Sequence, residues 1–219
     1  MDNGMILKAI VSIVPIVIAI TLHEAAHGFA SYKLGDPTAK MLGRLTLNPL
    51  KHVDPVGTIL MPLGLYILSG GTFLFGYAKP VPIGVRNFKN PRRDMAITGA
   101  AGPAMNFVIA LVSALLLVYI VGPVSSSLPE SAGNFLIMML KSSVWINVFL
   151  AALNLIPIPP LDGGRVLAGI VPRHIANKLD EIERYGMIIV IILLVTNIAM
   201  YFIAPVYALM MSIIRIFAH

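Results

Sequence analysis

Residues 21–30 read TLHEAAHGFA and place a glutamate and two histidines inside a run that is otherwise almost entirely apolar. The run extends from Ile6 to Tyr32 (ILKAIVSIVPIVIAITLHEAAHGFASY), and a helix needs roughly 20 such residues to cross a bilayer. An ionisable residue at the bilayer centre costs about 2.5–3.5 kcal/mol on insertion scales, so such residues usually serve a function. The stretch therefore predicts a membrane helix that carries a functional site.

The composition of the whole chain agrees with a membrane protein. The chain is 58% hydrophobic and 12% charged, with a mean hydropathy of +0.87, which excludes an ordinary soluble domain. Cysteine is absent, so any metal must be bound by His, Asp or Glu. The net charge of +6 lies mostly in short loops between apolar segments, where it indicates orientation and not a nucleic-acid partner.

Apolar runs separated by Gly, Pro and charged residues predict an all-α membrane protein built as a multi-span helical bundle. We expect spans at about 6–31, 95–122, 133–156 and 185–203. The apolar segment 204–217 is short for a span, and its role stays open. With no internal repeat and no long polar linker, residues 1–219 are expected to form one polytopic domain.

The region between the first two spans is irregular. Segment 56–75 is apolar but interrupted by Pro62, Gly64, Gly70 and Gly71, which predicts a re-entrant segment. The following stretch GYAKPVPIGVRNF (76–88) has alternating apolar residues and prolines, as expected for a short strand pair or an irregular loop.

Basic residues predict the orientation of the spans. They cluster after the first span, before the second and after the third (Lys33, Lys40, Arg44, Lys51; Lys79, Arg86, Lys89, Arg92, Arg93; Arg165, Arg173, Lys178, Arg184). The loop 123–132 carries the single charge of Glu130. By the positive-inside rule, the first and third spans both end at the cytoplasmic face.

On a helix, His23 and His27 lie one turn apart on the same face, where both can bind one ion, and Glu24 lies beside them. This is the His-Glu-x-x-His pattern of zinc hydrolases, in which the glutamate acts on a water molecule at the metal. The simpler interpretation is a pair of histidines that bond a packed helix interface. The cost of burying Glu24 favours the metal site.

A catalytic zinc usually has a third protein ligand. Asp162 lies in NLIPIPPLDGGR (154–165), at the same cytoplasmic end as the histidines in the expected topology. Its prolines exclude an ordinary helix, and Gly163 and Gly164 allow the chain to turn back. Taken alone, Asp162 would be a turn residue that caps the next helix. The remaining candidates are His52, His174, His219, Asp36, Asp54 and Asp94.

The motifs HEAAH, GAAGPAMNF (99–107) and NLIPIPPLDGGR together resemble the site-2 protease family of intramembrane zinc metalloproteases. GRLTLNPLKHVDPVGTIL (43–60) and GYAKPVPIGVRNFKNPRRD (76–94) resemble its short bacterial and archaeal branch. The resemblance implies one Zn²⁺ bound by His23, His27 and Asp162, with Glu24 as the catalytic acid-base. It also implies that Asn154 positions substrate near the metal.

We therefore expect an endopeptidase that cuts a peptide bond within or beside a membrane span of a protein substrate, with water as nucleophile. The expected location is the plasma membrane, with the active site toward the cytoplasm, in contact with the lipid bilayer and without nucleic acid; the sequence indicates no oligomeric state. His52 is either a group that supports the site or contacts substrate, or a solvated loop histidine. Gly102, Pro103 and Asn106 are expected to serve helix packing, with Asn106 bonding across the interface.

Two other classes of function remain open. A metal-ion transporter also places His and Asp in membrane spans, but it should show paired discontinuous segments or repeats. A non-catalytic membrane metal-binding module would keep the aspartate turn. Neither alternative needs Glu24, so proteolysis is the favoured function.

Overall fold

The computed structural model describes residues 3–60, 64 and 78–218 of the chain. Six helices of nine residues or more lie in this described part: α1 Asn3–Lys33, α2 Pro91–Leu116, α3 Glu130–Asn154, α4 Asp162–Ile170, α5 Arg173–Val195 and α6 Met200–Phe217. Short helical pieces connect them: Thr38–Met41, Pro49–Lys51, Pro55–Leu60, Val85–Asn87, Leu117–Val121, Gly122–Val124 and Ser125–Ser127. The described residues contain no strand, and the expected all-α fold class is confirmed.

Four helical segments are long and apolar enough to cross a membrane. They are Val11–Lys33, Pro91–Val124, Glu130–Asn154 and Met200–Phe217. The first three overlap the predicted spans 6–31, 95–122 and 133–156. Segment 204–217, whose role the sequence left open, belongs to the fourth.

The predicted span 185–203 is divided between two helices. Helix α5 begins at Arg173, inside the predicted basic loop, and ends at Val195. Asn197 then adopts the left-handed conformation with φ of 60°, which asparagine tolerates better than most residues, and α6 begins at Met200. The Thr196 hydroxyl donates to the Ile192 carbonyl (2.7 Å) at the same helix end. The left-handed conformation of Asn197 and the Thr196 hydrogen bond therefore end α5 within an apolar stretch.

Most of the predicted re-entrant segment 56–75, and residues 76 and 77 of the predicted strand pair, lie outside the described residues. Within them, residues 55–60 are π-helical, and the chain from 78 to 84 runs without regular secondary structure. Two hydrogen bonds hold that segment: Lys79 N–H donates to the His52 carbonyl (2.9 Å), and the Arg44 guanidinium donates to the Lys79 carbonyl (2.9 Å). We call residues 78–84 the covering segment.

Helix α2 packs against α1, α3 and α4. Small residues allow this, because Gly99, Gly102, Ala110, Ser113 and Ala114 are all buried on α2. A side chain at Gly99 would lie 3.1 Å from Arg165 Cβ and 3.2 Å from the Asp162 carbonyl oxygen. Glycine at that position therefore lets the start of α4 approach α2 closely.

The packing brings three chain regions to one end of the bundle. They are the C-terminal half of α1, the N-terminal half of α2, and the turn between α3 and α4. Two apolar clusters fasten α6 to the rest: one contains Ala110, Val144, Val148 and Ile214, and the other contains Leu153, Ile156 and Ile203. The shared end is where the histidines of α1 meet Asp162.

A buried carboxylate connects the end of α1 to the covering segment. Asp36 is fully buried and accepts hydrogen bonds from Gly84 N–H (2.7 Å), Asn87 Nδ2 (2.7 Å) and the backbone and hydroxyl of Thr38 (3.1 and 2.5 Å). Burial alone would raise the pKa of Asp36, but these hydrogen bonds outweigh it and lower the pKa below 3.8. The charged carboxylate therefore stabilises the fold at neutral pH.

Asp36→Asn should lower the thermal stability of the purified protein, because an amide group would face the Gly84 or Asn87 donors and leave one of them unpaired. Such a buried mismatch costs about 1–3 kcal/mol. Since the folded-state pKa is lowered, the contribution is present above pH 3.8 and declines as the pH falls below it. Thermal unfolding in detergent should show a lower unfolding temperature for the variant than for the parent at neutral pH, and a smaller difference between them at about pH 3. Asp180→Asn, at an exposed position, is the control; an equal deficit at both pH values would contradict the role of the charge.

Candidate metal centre

The potential metal ligands come from two helices that are distant in sequence. His23 and His27 lie on the same face of α1, and Asp162 is the first residue of α4. The distances from Asp162 Oδ2 are 3.1 Å to His23 Nε2 and 3.3 Å to His27 Nε2, and the two Nε2 atoms are 3.0 Å apart. Among the described residues, these three form the one group of His, Asp and Glu side chains with metal-binding spacing.

Asp162 reaches this position because the chain folds tightly around the start of α4. Helix α3 ends at Asn154, and α4 begins eight residues later, after the proline-rich turn. A Cβ at Gly163 would collide with the carbonyl oxygens of Leu155 and Ile156, and one at Gly164 would collide with Pro159. The two glycines are therefore needed for close packing. The N-cap position of α4 is occupied by Leu161, so Asp162 is the first helical residue and not the capping residue that the sequence alone would suggest.

Hydrogen bonds to the opposite ring nitrogens determine which histidine atoms face Asp162. His27 Nδ1 lies 2.7 Å from the Thr98 carbonyl oxygen, and His23 Nδ1 lies 2.5 Å from Asn106 Oδ1. Because both partners are acceptors, each Nδ1 carries the proton, and each Nε2 carries a lone pair. Asn106 thus bonds across the helix interface, as expected, and one of its partners is a potential metal ligand.

This donor set fits a bound cation. Three acceptor atoms converge, and Asp162 Oδ2 is buried without a hydrogen-bond donor among the described residues. Gly102 adds a second observation, because a Cβ there would lie 2.6 Å from His23 Nε2 and closer still to His27 Nε2. Glycine thus keeps open the space between the two nitrogens. Two imidazoles and one carboxylate are a known ligand set for catalytic zinc.

A cavity of about 370 Å³ lies beside these ligands. Glu24, Asn154, Arg165 and residues of the covering segment line it. Glu24 Oε2 accepts a hydrogen bond from Val81 N–H (2.8 Å), so the covering segment holds this carboxylate. Asn154 Nδ2 donates to the Leu150 carbonyl (3.0 Å), which leaves its Oδ1 for another partner.

His52 is not among the residues that line this cavity. His52 is 2% exposed, and its Nε2 donates to the Thr46 carbonyl (3.0 Å). It is therefore not the solvated loop histidine that was one of the two interpretations of the sequence. Its carbonyl accepts the Lys79 N–H, so His52 is placed to support the covering segment. His174 is exposed on α5, and Asp94 is buried and accepts the Asn90 N–H (2.9 Å) at the start of α2.

Sequence reasoning did not identify several groups around the site. Gly102 was expected to serve packing alone, and the roles of Thr98 and Val81 were not predicted. A signal existed for Gly102 and Asn106, since they are four residues apart and share one face of α2. Thr98 and Val81 act through backbone groups, which leave no signature in residue type.

Comparisons with known proteins relate this chain to zinc metalloproteases. The family model described as "Peptidase family M50" matches residues 11–196. The protein named "Putative zinc metalloprotease YwhC" from Bacillus subtilis (strain 168) is 38% identical over 201 residues, which are 88% of this chain and 84% of that protein. No solved structure matches the chain.

Proteins named "Putative zinc metalloprotease Rip2" are more distant relatives. The one from Mycolicibacterium smegmatis is 29% identical over 81% of this chain and 64% of its own length. The one from Mycobacterium tuberculosis (strain H37Rv) is 24% identical over 80% of this chain and 63% of its own length. The chain thus spans slightly less than two thirds of these two relatives.

Gly102→Ala should abolish stoichiometric zinc binding while α2 stays helical, because the added methyl group would occupy the space between the two Nε2 atoms. Alanine has a higher helix propensity than glycine, so a loss of zinc would not reflect a weaker helix. Metal analysis and circular dichroism of the purified variant test this. Ala104→Val adds volume on the exposed face of the same helix and should keep zinc. Parental zinc binding by Gly102→Ala would show that the metal lies elsewhere.

Proposed function

Since the chain belongs to peptidase family M50, the site-2 protease family expected from its motifs, we propose that it hydrolyses a peptide bond within or beside a membrane span of a protein substrate. Family membership makes the chain a membrane enzyme of the zinc metalloprotease type. The observation that carries the finer proposal is the convergence of His23, His27 and Asp162 beside Glu24.

In this proposal, His23 Nε2, His27 Nε2 and an Asp162 carboxylate oxygen hold one zinc ion. When bound, zinc supplies Lewis-acid activation of water and of a substrate carbonyl group. The buried positions of His27 and Asp162 favour binding, because a cation would compensate the convergence of the three acceptor atoms.

Glu24 is the proposed acid-base. Its Oε2 accepts the Val81 N–H, and we propose that the other oxygen, Oε1, takes a proton from the attacking water. The water oxygen then bonds to the carbonyl carbon, the carbon–nitrogen bond breaks, and Glu24 returns the proton to the leaving amine. The bond from Asn154 to the Leu150 carbonyl uses Nδ2, so Oδ1 of Asn154 would contact the substrate. His52 would support the covering segment.

A membrane-spanning substrate must expose a peptide bond by local unwinding, because helical hydrogen bonds otherwise occupy its backbone groups. The apolar cavity beside Glu24 is a place where such an unwound segment could lie. We propose that residues 1–219 form one polytopic protease domain, since the helices that carry these groups pack on one another.

The proposed location is the plasma membrane with the site toward the cytoplasm. The basic residues at the end of α1, before α2 and after α3 support this orientation, since all three regions lie at the end of the bundle that carries the site.

Glu24→Gln should keep zinc and the fold but lower the cleavage rate of a membrane-inserted reporter by about 10²–10⁴-fold, because glutamine keeps the shape and cannot transfer the proton. Zinc content, circular dichroism and reporter cleavage are measured on the same purified sample. Glu130→Gln, at an exposed position far along the chain, is the matched control and should behave like the parent.

A Glu24→Gln protein that retains zinc and cuts near the parental rate would contradict the mechanism. That result would favour a metal transporter or a metal-binding module only if cleavage by the parent protein also proved independent of zinc. His23→Ala separates these cases, because it should lose both zinc and cleavage.

Cysteine labelling should reveal the orientation, and the parent provides a clean background because it has no cysteine. Lys40→Cys and Lys178→Cys should react with an impermeant reagent only from the cytoplasmic side, and Ser127→Cys only from outside; all three positions are exposed. Intact cells and inverted vesicles provide the two sides. The reverse labelling pattern would overturn the orientation and leave the metal site untouched.

A further inference from the structure

Two fully buried asparagines extend from the metal site into the bundle, Asn106 on α2 and Asn147 on α3. We infer that Asn147 is a positioning residue, which acts through Asn106 to fix the proton on His23 Nδ1 and so leaves Nε2 free for the metal. The inference rests on the proposed function, in which His23 is a zinc ligand. We call Asn147, Asn106 and His23 the amide relay.

A backbone carbonyl determines which atom donates in each hydrogen bond of the relay. Asn147 Nδ2 donates to the Ser143 carbonyl (2.9 Å), four residues earlier on α3, and a carbonyl can only accept. The amide of Asn147 is thereby oriented with Oδ1 toward Asn106. That oxygen accepts a hydrogen bond from Asn106 Nδ2 (2.8 Å).

The orientation of Asn147 decides the orientation of Asn106. With its Nδ2 occupied by Asn147, Asn106 presents Oδ1 to His23, at 2.5 Å from Nδ1. Asn106 Nδ2 also lies 3.4 Å from the Ala19 carbonyl, at the outer limit of a hydrogen bond, which gives the same orientation a weaker second support. His23 must therefore donate from Nδ1.

The reversed orientation would interfere with metal binding. It would present an N–H of Asn106 to Nδ1 and favour the tautomer with the proton on Nε2, the atom that lies 3.1 Å from Asp162 Oδ2. Metal binding at Nε2 would then require loss of that proton and leave two donors facing each other at Nδ1. Inside the bundle, such an unpaired donor is costly.

The two histidines differ in how this polarity is set. His27 donates directly to a backbone carbonyl, that of Thr98 on α2. His23 lies one turn earlier on α1 and faces Asn106 of α2, whose side-chain amide could in principle point either way. Asn147 removes that ambiguity by transmitting the fixed polarity of a carbonyl on α3.

The test measures zinc affinity by competition with a chelator, and the visible spectrum of the cobalt-substituted protein, in the full-length chain. Asn147→Leu has a similar volume and removes both polar ends of the side chain. We expect it to weaken zinc binding by about 10–100-fold, the usual effect of losing a group that orients a metal ligand, and to change the cobalt spectrum.

Two further variants separate positioning from packing. Asn147→Asp keeps an acceptor oxygen toward Asn106, and its protonated form also keeps a donor toward the Ser143 carbonyl, so zinc affinity should stay within a few-fold of the parent. Ser142→Ala removes a half-buried hydroxyl that lies 3.2 Å from the Ser12 hydroxyl, in a contact between α3 and α1 that includes neither Asn106 nor Asn147. It should leave zinc affinity and the cobalt spectrum unchanged.

Asn147→Ser provides the same test should the leucine variant fail to fold. A serine hydroxyl in a helix can donate to the carbonyl of the residue four positions earlier, as Ser212 does to Ala208. At position 147 the serine side chain is too short to reach Asn106. It should weaken zinc binding in the same direction.

The outcomes distinguish the relay from the proposed function. Parental zinc affinity in both Asn147→Leu and Asn147→Ser, with zinc lost in His23→Ala, would overturn the relay and leave the metal site intact. Weakened binding in Ser142→Ala equal to that in Asn147→Leu would also overturn it, because the effect would then be general to polar contacts between the helices. Retained zinc in His23→Ala would instead overturn the proposed site itself.

Discussion

Three hydrogen-bond acceptors that face one another inside a helical bundle are the constraint on which the rest of this structure depends. The Nε2 atoms of His23 and His27 and Oδ2 of Asp162 repel one another unless a cation or a proton lies between them. Such an arrangement persists only where the surrounding packing fixes each group. The hydrogen bonds at the two Nδ1 atoms and the tight turn before α4 do so here.

Helix α2 satisfies this constraint through small residues on one face. Gly102 leaves room beside both imidazoles, and Gly99 allows the backbone at Asp162 to approach. In a bilayer, apolar side chains gain little by leaving lipid, so close backbone approach and hydrogen bonds between helices contribute most to packing. The features that join the helices are therefore the same features that shape the site.

The covering segment adds a part of the site that the bundle does not provide. Pro80 and Pro82 have fixed φ angles and no N–H, so this stretch has few backbone donors. Two of the remaining N–H groups donate to carboxylates: Val81 N–H to Glu24 and Gly84 N–H to Asp36. The proposed proton acceptor is thus held by a loop, and that loop is itself fastened to the end of α1.

The sequence by itself determined the class of protein, three of the membrane-capable helices and the spacing of His23, Glu24 and His27, because hydropathy and helical periodicity are local properties. It also indicated Asp162, through the match in depth between two distant motifs. It did not reveal the helix end at Asn197, which depends on one residue's backbone conformation without a glycine or proline. Nor did it reveal the bonds from Thr98, Val81 and Asn147, because these depend on distances between helices and on backbone atoms that every residue type shares.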